Sequence, residues 1–363
     1  MLVSVALAAL AAHVVYGQRD ELVGATSYLD HIRAQWLFVA GAVELTSIVA
    51  FAALQRRLLR AGHVSIPLTT MTAITFAGNA IQNSLPGGPV FSNVFAYRQF
   101  RGRGADDVLS GWILVATAAL AQIALVILAV IGLAAASGTG SELDLVTVIL
   151  SLLVLAAVIV FVWSRRRWIV RHLVGPLRLA QRVFKWPKGD PRRLIEDLLG
   201  QMDAISPSRL DWVVALAYAL ANWVLDIGCL ISAFTAVGAP VPWRALLLAY
   251  AAAQLAINLP ITPGGLGVVE GSLIIGLVAY GGGQESTVAA VLLYRLLSFW
   301  FLLLIGWLAW AYATWDLRRR EDHATQDAAQ DATQDAAQDA AEDDAVPARA
   351  PEAVAPWQAE GAT

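Results

Sequence analysis

The sequence predicts an all-α, polytopic membrane helix bundle built as an inverted repeat of two halves. Three observations carry this: a composition far too apolar for water, apolar stretches of membrane-crossing length, and two Pro/Gly-broken segments at matching positions. Of 363 residues, 58% are hydrophobic and 15% charged, whereas a soluble average chain holds about 25% charged residues. The apolar stretches reach the ~20 residues that an α-helix needs to cross a hydrocarbon core about 30 Å thick.

Taken in order, the apolar segments fall at 2–17, 34–55, 64–96 (broken), 107–136, 144–163, 210–237, 241–281 (broken) and 286–315. The expectation is about six full spans plus two broken hairpins. The first segment lacks the basic n-region of a secretory signal and is read as a short uncleaved span. Lys and Arg mark cytoplasmic loops. They cluster at Arg56, Arg57 and Arg60, at Arg98, Arg101 and Arg103, through 164–208, and at Arg318, Arg319 and Arg320, while 137–143 and 282–285 carry none. One topology satisfies this pattern, with both termini cytoplasmic in a bacterial inner membrane. In it each broken segment enters and leaves by the same face, and charge alone leaves open whether it is re-entrant or two full spans.

The formal charge of −3 conceals two regions. Residues 1–320 hold 24 bases against 17 acids, and 321–363 hold 11 acids against one Arg. The expected organisation is a transmembrane domain over 1–320, with halves 1–136 and 144–316 and a basic cytoplasmic linker at 164–208, followed by a disordered acidic tail over 321–363. In the linker, Leu177, Ala180 and Phe184 share one helical face against Arg178, Arg182 and Lys185, a pattern suited to an anionic leaflet. The tail repeats Gln-Asp-Ala from Gln326 with Asp every fourth residue, so a helix there would stack like charges.

The breaks share chemistry. The first reads Asn83-Ser84-Leu85-Pro86-Gly87-Gly88-Pro89, the second Asn258-Leu259-Pro260-Ile261-Thr262-Pro263-Gly264-Gly265-Leu266-Gly267. Proline removes a backbone donor and glycine frees φ, so both strings end one helix and begin another within the bilayer. Such backbone is tolerated only where buried in protein or lining a wet cavity, and matched breaks in inverted halves point to a transporter's substrate site. Helices starting after Gly88 and Gly265 would aim N–H groups and positive dipole ends at the midplane. Asn83, Ser84, Asn258 and Thr262 either add hydrogen bonds to a ligand or satisfy carbonyls freed by the break.

Ionisable residues inside spans are costly and functionally suspect. Glu44, Asp226, Glu270 and Arg295 are four such residues. A Glu270–Arg295 ion pair is expected, with Arg295 able to leave Glu270 for a phosphate that suits its planar fork, or else locking two helices together. The candidate substrate-binding residues are Asn83, Pro86, Gly87, Gly88 and Arg98 from the first half, and Asn258, Pro260, Pro263, Gly264, Gly265, Gly267, Glu270 and Arg295 from the second. Glu270 and Asp226 are candidates for proton coupling.

The string LPITPGGLGVVEGSL (Leu259 to Leu273), with NSLPGG and the Arg-rich YRQFRGRG (Tyr97 to Gly104), resembles the lysylphosphatidylglycerol synthase transmembrane-region family over about residues 1–316. That family includes the flippase domain of the multiple peptide resistance factor. The resemblance implies a lipid-flippase-like membrane domain with re-entrant elements. Bifunctional members append a soluble aminoacyl-transferase domain, whereas only a short polar tail follows residue 320 here, so lysyl transfer is not expected.

The leading expectation is a flippase or scramblase moving an anionic phospholipid or lipid-linked glycan. The alternative is a non-transporting scaffold or accessory subunit for a lipid-modifying or glycosyltransferase enzyme. No enzyme activity is expected: the lone Cys229, five scattered histidines and the absence of G-x-S-x-G and G-x-x-x-x-G-K-[ST] strings offer no nucleophile, metal site or ATP site. Neither cofactor nor metal is expected. Membrane lipids, chiefly anionic, are the expected partners and nucleic acid is not; a lipid-modifying enzyme and a second copy of the chain are left open.

Overall fold

The structure, a computed structural model, describes residues 32–85, 87–136, 207–257 and 263–345. The expected spans at 2–17 and 144–163, the basic linker at 164–208 but for its last two residues, and residues 346–363 lie outside the described part, as do Pro86 and 258–262. The chain divides into two units, 1–314 and 315–363.

Every described element is helical, and the order repeats. The first half runs α1 (Ala34–Ala61), α2 (Leu68–Ser84), α3 (Gly88–Arg101) and α4 (Asp107–Ala136). The second runs α5 (Arg209–Ala236), α6 (Trp243–Ile257), a 3-10 turn (Pro263–Gly265) and α7 (Val268–Ala279). It then continues through α8 (Gln284–Arg295), a π-helical segment (Leu296–Phe301) and α9 (Leu302–Ala345). Among the described residues four helices are long and apolar enough to cross a membrane: Ala34–Ala61, Asp107–Ala136, Arg209–Ala236 and Gln284–Arg320. The chain is a polytopic helical membrane protein.

The broken segments form helices of 17 and 14 residues in one half and 15 and 12 in the other. At 1.5 Å per residue these are about 18 to 26 Å long, at or below the lower end of the length that crosses a hydrocarbon core. α2 packs on α3 and α6 on α7, so each pair is a helical hairpin of short arms.

The halves are inverted, and the α1–α5 pair shows it. The amide of Arg33, just before α1, donates to the carbonyl of Ala236 at the end of α5 (3.0 Å), while Arg57 near the end of α1 pairs with Asp211 in the first turn of α5 (2.7 Å). Between them Asn222 Nδ2 donates to Ser47 Oγ (2.8 Å), which donates to the Asn222 carbonyl (3.0 Å). Polar side chains bonded across helices are the usual glue where lipid removes any hydrophobic drive to associate. The register of α5 is fixed by its cap, in which Ser208 Oγ accepts from the Asp211 amide and Asp211 accepts from the Ser208 amide (2.9 Å).

The two cores interlock. Leu125 and Leu128 of α4 sit in the core of the second half, and Ala215 and Ala219 of α5 sit in that of the first. Two equivalent interfaces depend on a glycine. A Cβ on Gly132 of α4 would lie 2.7 Å from the backbone nitrogen of Leu248 on α6, and one on Gly306 of α9 would lie 2.5 Å from the Phe76 carbonyl on α2. Leu at either position forces the helices apart. We expect Gly132→Leu and Gly306→Leu each to lower stability by about 1–3 kcal/mol, seen as a reduced melting temperature in mild detergent.

In the second unit, the tail departs from expectation. Residues 321–345 continue the helix of α9 rather than being disordered. Alanine at every third or fourth position has the best intrinsic helix propensity, and this outweighs the few tenths of a kcal/mol lost per stacked Asp pair. Arg319 lies over the Trp315 ring (4.6 Å) and Arg320 pairs with Asp316 one turn earlier (3.3 Å).

Candidate functional site

The second break turns where glycine is required. Gly264, Gly265 and Gly267 have φ of 60°, 67° and 82°, the left-handed region that side chains disfavour. Helix α7 therefore starts at Val268, not directly after Gly265 as expected. Its first turn is not left open to a ligand, because the Gly267 amide donates to Glu270 Oε2 (2.7 Å). The carboxylate thus caps its own helix and lies at the positive end of the helix dipole.

The other oxygen, Glu270 Oε1, receives Arg295 Nε at 2.6 Å, and Arg295 Nη2 donates to the Gly264 carbonyl at 3.1 Å. The Arg295 guanidinium also stacks on Phe299, 4.7 Å from the ring centre. Arg295 is 7% exposed, so this is a largely dehydrated ion pair tied to the broken backbone. Phe299 belongs to the π-helical segment that begins immediately after Arg295, a conformation concentrated at functional sites.

The first break meets the second here. A Cβ on Gly264 would stand 3.3 Å from the Asn83 carbonyl, so the last turn of α2 abuts the 3-10 turn. Gly87 adopts φ 69° and Gly88 opens α3; a Cβ on Gly88 would collide with the Gln82 carbonyl at 1.9 Å. The polar side chains of this break bond within their own helix. Asn83 Nδ2 donates to Asn79 Oδ1 (2.8 Å) and Ser84 Oγ to the Ala80 carbonyl (2.7 Å), which is the backbone-satisfying role.

Sequence reasoning thus singled out Glu270, Arg295, Gly264, Gly267 and Asn83, which the fold gathers. Pro263 opens the 3-10 turn, and Pro86, Asn258 and Pro260 lie outside the described residues. Asp226 does not join this group. It lies on α5 in a second cluster with Glu44, Tyr250 and Tyr294 that spacing could not reveal, since its members come from four helices.

Arg98 occupies a third place. It lines a groove of about 270 Å³ with Ile81, Leu85, Phe91, Val94, Phe95 and the tryptophans Trp307 and Trp310. Among the described residues no partner meets its guanidinium. Its neighbours are engaged: Arg101 and the Tyr97 hydroxyl both bind Asp107, and Arg103 donates to Gln99 and to the Ala313 carbonyl (3.3 Å).

Inverted halves, short-armed hairpins meeting at their breaks and an intramembrane ion pair on the broken backbone define a class of membrane protein. Within that class the chain belongs to the family described as lysylphosphatidylglycerol synthase TM region, whose model matches residues 1–306. It is also similar to UPF0104 membrane proteins of Methanothermobacter thermautotrophicus. One match is 36% identical over 114 residues, 31% of this chain and 32% of the relative; another is 34% identical over 85 residues, 23% and 25% respectively. The chain thus spans about a third or less of the curated relatives it matches.

Proposed function

We propose that this protein is a flippase or scramblase that moves an anionic phospholipid or lipid-linked glycan across a cytoplasmic membrane, with no chemistry performed on the lipid. The observation that carries the reading is the contact between the two breaks, with Arg295 held by Glu270 and the Gly264 carbonyl. A guanidinium there can exchange one anion for another. Glu270 keeps the Gly267 amide on Oε2 when Arg295 leaves it, so handing Arg295 to a phosphate removes one of its two donors and not both.

The Arg98 groove supports the same substrate class. Its aliphatic and aromatic walls suit an acyl chain, and Arg98 at its lining suits the phosphate above that chain. With the positive-inside orientation, that entrance is cytoplasmic and both termini are inside.

The test uses vesicles of phosphatidylethanolamine and phosphatidylglycerol carrying the purified chain and fluorescent phosphatidylglycerol, read by loss of the outer-leaflet label to a membrane-impermeant quencher. Wild-type protein is expected to expose the whole label pool, and Arg98→Ala together with Glu270→Gln to leave only the outer half quenched. Label protected equally in protein-free and wild-type vesicles would leave the scaffold reading standing instead.

A further inference from the structure

We propose that Glu44 and Asp226 form a buried proton-binding site at the junction of the two halves, linked mechanically through Tyr294 and Arg295 to the Glu270 pair. The site lies at mid-membrane. Arg33 and Ala236 are level with one another through their backbone bond. Glu44 comes ten residues after the start of α1 and Asp226 ten before the end of α5, which places both about 15 Å below that level, the middle of a ~30 Å core.

The chemistry of the pair is asymmetric. Asp226 is furnished as an anion: Tyr250 Oη donates to its Oδ2 (2.5 Å), Gln254 Nε2 to the same oxygen (3.4 Å) and Tyr294 Oη to its Oδ1 (2.9 Å). Glu44 has no such company. It is 3% exposed, it lies within hydrogen-bonding reach of Asp226 and the Cys229 thiol, and among the described residues its Oε2 has no hydrogen-bond partner. Two carboxyl groups in contact in a medium of low dielectric cannot both ionise. The arrangement is satisfied by one proton shared between them, carried on Glu44 and donated to Asp226. Among the described residues the groups facing the pair are Cys229 on α5, Tyr250 and Gln254 on α6, and Tyr294 with Arg295 on α8, so the nearby cation among them is the residue already bonded to Glu270.

That adjacency is the link. Tyr294 and Arg295 are consecutive, one bonded to Asp226 and the other to Glu270, and the π-helical segment follows at once. A turn with one surplus residue can pass that surplus along the helix, so a shift that frees Arg295 for an anion also withdraws the Tyr294 donor from Asp226. That leaves Asp226 Oδ1 an open acceptor, which a proton can fill. Binding of an anion and uptake of a proton are thereby coupled, a net transfer that is less costly in hydrocarbon than either charge alone. The use of this proton to drive lipid movement rests on the translocation proposed above; the binding of the proton does not.

The decisive measurement is infrared difference spectroscopy on the full chain in vesicles of phosphatidylethanolamine and phosphatidylglycerol. A protonated-carboxyl carbonyl band is expected at neutral pH, shifted in heavy water, lost in both Glu44→Gln and Asp226→Asn, and displaced but present in Glu270→Gln and Tyr294→Phe. Absence of the band, its survival in both dyad variants, its loss in Glu270→Gln, or its removal by sodium ions at fixed pH overturns the proposal. Fluorescent phosphatidylglycerol in the same vesicles separates the two ideas: the band without lipid movement ends the transport reading and leaves the proton site, while lipid movement without the band does the reverse.

Discussion

Replacing Arg295 by Ala is expected to destabilise the protein by about 3–5 kcal/mol, the cost of breaking a buried ion pair by removing one partner. The change strips Glu270 Oε1 and the Gly264 carbonyl of their donor and takes the face of Phe299 out of contact. Thermal unfolding in mild detergent reads it. Arg295→Lys should recover only part, because a single ammonium cannot serve the carboxylate, the carbonyl and the aromatic face together. The double variant Glu270→Gln with Arg295→Met should melt above Arg295→Ala, since no charge is then left unpaired; a double-mutant cycle between the two positions isolates the coupling. An Arg295→Ala protein that melts with the wild type would remove the pair from the account of both stability and transport.

The second large effect is expected at Gly264. Its φ of 60° costs a residue bearing a Cβ about 1–2 kcal/mol, and that Cβ would stand 2.3 Å from the Phe299 ring and 3.3 Å from the Asn83 carbonyl. Overpacking adds about 1–3 kcal/mol, so Gly264→Leu should lose several kcal/mol and Gly264→Ala less. Combining Gly264→Ala with Phe299→Leu provides room but leaves the dihedral cost, so rescue should be partial. Full rescue would mean the turn relaxes without the left-handed conformation, and that the breaks do not need to touch.

Much of this was legible in the sequence, and the reasons are specific. Apolar length marked the described spans, since 28 to 30 residues of α1, α4 and α5 have no aqueous explanation. The break strings were legible because Pro and Gly act locally, and Glu270 and Arg295 stood out because charge in an apolar run is costly wherever it falls. What escaped was set by tertiary packing. Glu44 and Asp226 are 182 positions apart in sequence, and only the antiparallel register of α1 and α5 brings them together. The π-helical segment has no composition signal in Leu296–Phe301. Arg98, Arg101 and Arg103 read alike as topology markers, yet the fold engages two of them with acceptors and leaves Arg98 to the groove. The acidic tail misled through its charge, whereas its alanine decided the outcome as far as Ala345.

The paired glycine contacts at Gly132 and Gly306 have an energetic corollary. Each clamps an arm of one hairpin against a long helix of the opposite half, and the two clamps are copies of one another turned upside down. In the transport cycle proposed above, loosening one while tightening its twin exchanges like for like, which sets the balance between conformers open to opposite leaflets close to even. A bias of about 1.4 kcal/mol shifts such a balance tenfold, and one ligand or one proton taken from a single side can supply it.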